Sequence, residues 1–180
     1  MRKAALIATA AALLCGCGGV AERRVEQALF DQPFSQPIID SSGTRIGTVS
    51  GTPGEKGVTV HVAVEGLSPG DHGLHLHEAG RCDPPDFASA GAHWNAQGRE
   101  HGHDNPDGAH DGDWGNLSVD ADSAGTTDRL IPRYHGKIPQ QGLAVVIHEG
   151  ADDERTDPSG NSGARIACGV VMALATVPVE

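Results

Sequence analysis

The chain is poor in basic residues and has neither a long hydrophobic run nor a long helical period. Lysine and arginine number 13 against 24 aspartate and glutamate residues, and the formal net charge is −11. Because nucleic-acid binding depends on basic patches that neutralise phosphates, this balance argues against a nucleic-acid partner. No apolar run approaches the roughly 20 residues that a transmembrane helix needs. No long segment of the domain repeats with the period of about 3.6 residues that marks an amphipathic helix.

The N-terminus is typical of an export signal. Two basic residues precede a short apolar run that ends at Leu14 and is too short to span a bilayer. The following Cys15-Gly16-Cys17 resembles a bacterial lipoprotein cleavage box with Cys17 as the lipidated residue. The predicted organisation is a lipoprotein signal peptide at 1–16, a lipid-anchored tether at 17–37 and one domain at 38–180. An ordinary signal peptide that contains cysteines by chance is the alternative. Either signal predicts export, and the lipoprotein places the protein on a membrane in the periplasm or at the cell surface.

Short alternating runs predict antiparallel strands. Valine recurs at every second position of 58–64, leucine alternates with histidine in 74–77, and 145–148 alternates in the same way. Period two places successive side chains on opposite faces of a strand. The 25 glycines and 11 prolines punctuate the chain between such runs. The pattern therefore predicts an all-β fold, an antiparallel sandwich or barrel.

Two long segments predict functional loops. They run from about 78 to 115 and from about 149 to 164, and neither shows a regular period. Loops of this length are uncommon in compact domains unless they are functional or disordered. We therefore interpret both segments as functional loops rather than as core.

Residues that bind metals are grouped along the chain. The grouped residues are His75, His77, His93, His101, His110, Asp113 and His148, in the segments GLHLHE, SAGAHWN, REHG, AHDGDWGN and VVIHEGADD. Imidazole is a ligand for both copper and zinc. Six histidines and one aspartate are more than one ion needs, so their number predicts two ions that share a ligand. His61, His72 and His135 are interpreted as solvated or hydrogen-bonded histidines.

These motifs resemble the copper,zinc superoxide dismutase family, and the resemblance runs from about Ile38 to the C-terminus. GLHLHE is similar to the family's paired copper histidines, SAGAHWN to its bridging histidine and VVIHEGADD to its fourth copper histidine. The segment GNSGARIACGVV is similar to the one that carries the active-site arginine and the second disulfide cysteine. The resemblance implies an eight-stranded antiparallel Greek-key β-barrel or sandwich with two long functional loops. It also implies the dismutation of superoxide.

The resemblance implies two metal sites that share one residue. Copper would be bound by His75, His77, His93 and His148, a set of four nitrogens that suits Cu(II). Zinc would be bound by His93, His101, His110 and Asp113, a closed set typical of structural zinc. His103 lies two residues beyond His101 and is the alternative zinc ligand, but the spacing from the bridging histidine favours His101.

Further roles come from the same resemblance. Asp152 matches an outer carboxylate that joins a copper histidine, here His75, to a zinc histidine, here His101. Arg165 matches the arginine that holds the anion beside copper, and its alternative is a surface arginine paired with a carboxylate. With His93 as the shared imidazolate, Arg165 completes the predicted catalytic pair.

The positions of the four cysteines predict different roles for them. Cys15 would be lost with the signal, Cys17 would carry lipid, and Cys82 and Cys168 remain as an even pair. An exported domain lies in an oxidising compartment, so we expect a disulfide between them. Closing a loop of that length stabilises the fold by about 4–5 kcal/mol in the chain-entropy model.

Together these features predict an exported, lipid-anchored bacterial enzyme that dismutates superoxide with a redox-cycling copper and a structural zinc. The alternative is a non-catalytic envelope lipoprotein that binds copper or zinc. A structural β-sandwich with incidental histidines explains neither the spacing nor Arg165. The sequence leaves a monomer and a homodimer both open.

One feature of the second loop argues against fast capture of an anion. The loop carries Glu149, Asp152, Asp153, Glu154 and Asp157, with Arg155 as its basic residue. We therefore expect positive potential to come locally, from the two metals and Arg165.

The lipoprotein box predicts the effect of Cys17→Ala. A single acyl chain binds membranes only marginally, so stable attachment needs the several chains of a bacterial lipoprotein. We expect the variant to be released from the membrane fraction or mislocalised. Mass spectrometry of the mature N-terminus of the parent protein provides the check, and an unmodified first residue there contradicts lipidation.

Overall fold

The computed structural model describes residues 32–133, 138–139 and 141–172. The predicted signal segment, Cys17, most of the tether and His135 lie outside the described residues. Within the described part of the chain, no helix has the length and apolar character needed to cross a membrane.

Eight antiparallel strands close into a barrel. They are β1 (Phe34–Asp40), β2 (Arg45–Gly54), β3 (Gly57–Glu65), β4 (Gly70–His77), β5 (Asp113–Val119), β6 (Ala124–Pro132), β7 (Leu143–His148) and β8 (Arg165–Met172). Their order around the barrel is β1-β2-β3-β6-β5-β4-β7-β8, and β8 pairs with β1. The neighbours β3–β6 and β4–β7 are not consecutive in sequence, which is the mark of Greek-key connections. The predicted eight-stranded all-β barrel is confirmed.

The alternating valines of β3 build one side of the barrel core. Val58, Val60 and Val62 are fully buried, whereas Thr59 and His61 between them are exposed. Burying such a side chain stabilises the fold by about 1.5–3 kcal/mol relative to exposure. The period-two pattern therefore predicts both the strand and its inward face correctly.

The pairing of β4 with β7 separates the core from the histidines. Leu74 lies opposite Ile147 and Leu76 opposite Val145, and all four side chains lie in the barrel core. Successive side chains of a strand alternate between its faces, so the histidines that alternate with these leucines leave the outer face. The wall of the barrel thus presents imidazoles outward.

The first strand begins earlier than the sequence indicated. The domain boundary was predicted at 38, but β1 begins at Phe34. Phe34 packs against the core and pairs with Gly51 of β2, where an added Cβ would overlap the phenyl ring. The phenyl ring therefore occupies the space that Gly51 leaves. The barrel thus includes four residues that were assigned to the tether.

The first loop covers the outer faces of β7 and β8. It spans 78–112, three residues less than predicted, because Asp113 already pairs with His75 of β4. The loop contains a 3₁₀ turn, Ala88–Ala90, and buries a second apolar cluster composed of Phe87, Ala90, Ala144, Val146 and Cys168. A disulfide joins Cys82 of the loop to Cys168 of β8, with a Cα–Cα distance of 5.6 Å. The apolar cluster and the disulfide therefore hold this loop against the outer face of the barrel, beside the histidines that leave that face.

Candidate metal centre

Strand pairing brings the predicted site residues together. His75 of β4 lies opposite Asp113 of β5, and a single bridge outside the named strands pairs His77 with His93 of the first loop. On the other side, His148 at the end of β7 lies opposite Arg165 at the start of β8. The second loop, 149–164, connects these last two residues, so both long loops arise at the site.

Four imidazoles converge on the outer wall of the barrel and form what we call the four-imidazole set. Its members are His75, His77, His93 and His148, and each is buried. One nitrogen of each lies within 4.8 Å of the corresponding nitrogens of the others. His75 Nδ1 and the Nε2 atoms of the other three are buried and have no hydrogen-bond partner among the described residues. Because unpaired buried polar atoms are costly, four of them pointing into one space fit a metal ion.

Three of the other ring nitrogens of the set face fixed acceptors. These are the Asp152 carboxylate for His75 Nε2 (2.7 Å), the Gly91 carbonyl for His77 Nδ1 (3.0 Å) and the Gly163 carbonyl for His148 Nδ1 (3.1 Å). His93 differs, because its Nδ1 lies 2.8 Å from the Asp113 carboxylate, which belongs to a second group of possible metal ligands. A carbonyl or carboxylate oxygen accepts, so in the first three rings the facing nitrogen carries the hydrogen and the opposite one carries a lone pair. The acceptors therefore direct the lone pairs inward, as in metal sites whose histidines donate outward.

Burial keeps these imidazoles neutral. It lowers the pKa of His75 to about 3 and that of His148 to about 4, and it places the pKa of His77 well below its usual value. Burial also lowers the pKa of His93, although the neighbouring Asp113 opposes the shift. A neutral imidazole is the form that binds metals, so the set is ready to act as a ligand at physiological pH.

A second group, the Asp113 set, surrounds one carboxylate. It consists of His93, His101, His110 and Asp113. The Nδ1 atoms of the three histidines lie 2.8, 3.0 and 3.2 Å from Asp113 Oδ1. The other oxygen, Oδ2, accepts hydrogen bonds from the backbone N–H groups of Gly102 and His110, both at 2.9 Å. Three imidazoles and one carboxylate match the composition of a closed zinc site.

Charge distinguishes the Asp113 set from the four-imidazole set. Burial raises the pKa of Asp113, but the adjacent histidines outweigh it and leave the pKa far below the usual range. Burial lowers the pKa of His101, yet the carboxylates of Asp113 and Asp152 overcome it and raise the pKa to about 10. The carboxylates of Asp113 and Asp152 therefore favour a positive charge beside His101, whereas burial keeps the four-imidazole set neutral.

Asp152 joins the two groups from outside. Its Oδ2 accepts from His75 Nε2 at 2.7 Å and its Oδ1 accepts from His101 Nε2 at 3.0 Å. This is the bridge that the family resemblance implies. Gly160, which the sequence did not single out, makes room for it, since an added Cβ would overlap Asp152 Oδ1. Its φ of 62° lies in the left-handed region that favours glycine.

His103 takes no part in the Asp113 set. Its side chain is more than half exposed, and its Nδ1 lies 2.8 Å from Glu154 Oε2. His101, by contrast, is fully buried within the group. The structure therefore places His101, which the spacing favoured, in the Asp113 set. His103, the alternative, faces the second loop.

The carboxylates of the second loop are engaged in hydrogen bonds. Asp157 accepts from the backbone N–H of His101 at 2.8 Å, and Asp153 accepts from the backbone of Arg155 and Thr156. Asp157 and Glu154, through its contact with His103, thus join the second loop to the first, whereas the bonds of Asp153 stay within the second loop. The sequence suggested only their repulsion of anions, because hydrogen bonds between distant loops leave no periodic signal.

Arg165 is held by main-chain carbonyls. It donates to the carbonyls of Phe87 at 2.9 Å and Gly91 at 2.8 Å. The Gly91 carbonyl also accepts from His77 Nδ1. The alternative of a surface arginine bonded to a carboxylate is not the arrangement observed among the described residues. The sequence did not indicate the roles of Phe87 and Gly91, because a residue of any type can supply a backbone carbonyl.

Two of the remaining histidines have other partners. His72 is buried, with its ring nitrogens 2.7 Å from the His148 carbonyl and 2.9 Å from the Ser68 carbonyl. His61 is exposed on β3 and lies 2.8 Å from Asp128. Both fit the prediction of hydrogen-bonded or solvated histidines.

Comparison with known proteins identifies relatives of the whole domain. Residues 45–171 match the family described as copper/zinc superoxide dismutase (SODC). A superoxide dismutase [Cu-Zn] of Aquifex aeolicus is 38% identical over 142 residues, covering 74% of this chain and 84% of that protein. The superoxide dismutase [Cu-Zn] of Caulobacter vibrioides is 39% identical over 138 residues, covering 72% and 79%. The crystal structure of a SOD-like protein from Bacillus subtilis is 37% identical, has a TM-score of 0.71 and covers 77% of this chain and 97% of its own.

The Asp113 set predicts different effects of two neighbouring substitutions. We expect His101→Ala to lose zinc and lower the melting temperature, because it removes a buried member of the group and metal binding is linked to folding. His103→Ala is the matched control and should retain zinc, since it removes an exposed side chain. Metal analysis and thermal unfolding of both variants test this. Equal zinc loss in the two variants, or loss in the His103 variant alone, contradicts the assignment.

Proposed function

Because the chain belongs to the copper/zinc superoxide dismutase family, we propose that it is an exported, membrane-anchored enzyme that converts superoxide to molecular oxygen and hydrogen peroxide. Superoxide dismutation with copper and zinc follows from family membership. The observation that carries the proposal in this chain is the convergence of four unpaired, buried imidazole nitrogens beside Arg165.

The two groups suit the two metals differently. We assign copper to the four-imidazole set, because a neutral set of nitrogens suits Cu(II). We assign zinc to the Asp113 set, whose three nitrogens and one oxygen leave no position open for substrate. His93 belongs to both sets, with Nε2 in the first and Nδ1 beside Asp113. A shared imidazolate is plausible chemistry only between two cations, since each cation favours the deprotonated ring.

The reaction consumes two superoxide anions and two protons and yields one O₂ and one H₂O₂. Copper, when bound, supplies one-electron redox chemistry. The guanidinium of Arg165, fixed by the carbonyls of Phe87 and Gly91, is placed to hold the anion next to the four-imidazole set. His93 Nε2 is the ring atom that could hold one proton and pass it to the product whenever it is not bound to copper. The second proton comes from water.

The proposed cellular location of the protein rests on its N-terminal segment. The lipoprotein box supports attachment through Cys17, in the periplasm or at the cell surface, where the enzyme would protect the envelope from superoxide. An oxidising compartment agrees with the Cys82–Cys168 disulfide.

A non-catalytic metal-binding lipoprotein is the competing function. It requires the same two sets but gives no role to Arg165. The rigid placement of this arginine opposite His148 therefore favours the enzyme.

Metal analysis combined with a dismutation assay tests the function. We expect the purified protein to bind one copper and one zinc per chain and to dismutate superoxide only when copper is present. Removal of copper alone should abolish activity and leave the zinc-bound fold intact. A protein that binds both metals without dismutating superoxide would be the metal-binding lipoprotein instead.

Substitution of Arg165 tests the anion-binding role. We expect Arg165→Glu to lower the dismutation rate by about tenfold or more while copper and zinc remain bound, because it replaces local attraction by repulsion. Arg165→Lys should have a smaller effect, since lysine keeps the charge but cannot present the planar fork. Activity per bound copper is the quantity to compare. Unchanged activity in Arg165→Glu removes the arginine from the mechanism.

Ionic strength provides a second measurement on the same variants. Salt screens charges beyond roughly 8–10 Å at moderate concentration, so a rate helped by local attraction falls as salt is added. We expect a weak fall for the parent enzyme and a rise for Arg165→Glu. A parent rate that climbs with salt shows that the acidic residues of the second loop control substrate approach.

A further inference from the structure

One side chain of the barrel holds the backbone of Asp152 at both of its polar groups. Asn116 of β5 donates from Nδ2 to the Asp152 carbonyl at 3.0 Å. Its Oδ1 accepts from the Asp152 backbone N–H at 2.8 Å. Two parallel bonds between one amide and one residue restrict rotation as well as distance. Asn116 therefore fixes the position and orientation of the Asp152 backbone.

Asp152 needs such support because of its place in the chain. It lies in the second loop, which has no strand or helix, yet its carboxylate contacts His75 Nε2 and His101 Nε2. Its Oδ1 also accepts from the Glu154 N–H at 2.7 Å. A ligand-orienting group keeps its geometry only when a rigid element holds it.

The strand that carries Asn116 supplies that rigidity. Asn116 pairs with Gly73 of β4, two residues before His75. Arg129 of β6 donates to the carbonyl of Asn116 at 3.1 Å and to the carbonyl of Trp114 at 2.8 Å. The line of contacts thus runs from the barrel wall through one amide to the carboxylate that joins the two sets.

We propose that Asn116 is a positioning residue of the metal centre: by fixing the backbone of Asp152 it holds the carboxylate that orients His75 and His101, and so it controls zinc retention. The proposal rests on the proposed function to the extent that the Asp113 set binds zinc. Asn116 belongs to neither set, and its side-chain amide bonds to the backbone of Asp152, so its effect passes through Asp152. Outer partners of metal ligands typically change metal affinity by about 10–100-fold.

Asn95 offers a matched control within the same molecule. Its Nδ2 donates to the Arg99 carbonyl at 2.8 Å and its Oδ1 accepts from the Arg99 N–H at 3.0 Å. This is the same double pairing, made inside the first loop and without contact to Asp152. Removing either side-chain amide breaks two equivalent hydrogen bonds. A difference between the two variants therefore reflects the contact of Asn116 with Asp152.

Zinc retention in Asn116→Ala and Asn95→Ala is the first measurement. Each full-length variant is loaded with copper and zinc, and zinc release to a chelator is followed. We expect release to be about tenfold faster in Asn116→Ala, at the lower end of the usual effect of outer partners. Asn95→Ala should behave as the parent protein. Release from Asn116→Ala at the rate of the parent protein overturns the proposal, whereas a parent protein that binds no zinc overturns the zinc assignment instead.

Coupling to Asp152 separates positioning from a general loss of stability. If Asn116 acts through Asp152, then adding Asn116→Ala to Asp152→Asn should leave zinc release unchanged from the Asp152→Asn variant. The visible spectrum of bound Cu(II) should shift in the same direction in both single variants, because both release the His75 ring. Additive effects on zinc release, or an unshifted spectrum in Asn116→Ala, contradict the proposal.

A second substitution keeps the test decisive if Asn116→Ala does not fold. Asn116→Asp retains an oxygen to accept from the Asp152 N–H but loses the donor to the carbonyl. We expect zinc release between that of the parent and that of Asp152→Asn. Release equal to that of the parent overturns the proposal.

Discussion

The alternation of β4 is the constraint on which the rest of the structure depends. Leu74 and Leu76 must face the core, so the histidines between and after them must leave the outer wall. Imidazoles buried there need partners, because an unpaired buried nitrogen is costly. The first loop, the disulfide at its base and the second loop all cover this outer face. The molecule is therefore a barrel whose functional surface is its wall rather than its interior.

Two electrostatic environments lie side by side on that wall. Burial keeps the four-imidazole set neutral, whereas Asp113 and Asp152 hold His101 in a strongly acidic setting where its pKa rises to about 10. His93 and Asp152 connect the two environments, one by its ring and the other by its carboxylate. This difference in charge supports the proposed assignment of copper to one set and zinc to the other.

The acidic second loop has a structural role that its composition does not reveal. Asp157 accepts from the backbone of His101 and Glu154 contacts His103, so these two carboxylates hold the two loops against each other, while Asp153 braces the second loop internally. Several of these acids are thus engaged in hydrogen bonds within the protein, and Arg165 lies beside the four-imidazole set, opposite His148. Support for the site comes from the barrel, through Asn116, as well as from the loops.

The sequence by itself determined the fold class, the inward faces of β3 and β4, the family and the residues that form the two sets. These follow from period-two alternation and from short motifs, both of which are local in the chain. Only the tertiary structure decided the start of β1 at Phe34, the contact of His103 with Glu154, the carbonyls that hold Arg165 and the two hydrogen bonds of Asn116 to the Asp152 backbone. Those features depend on strand register and on contacts between residues far apart in sequence, many of them with backbone atoms. Backbone acceptors are the same for every residue type, so no pattern of side chains indicates them before the chain is folded.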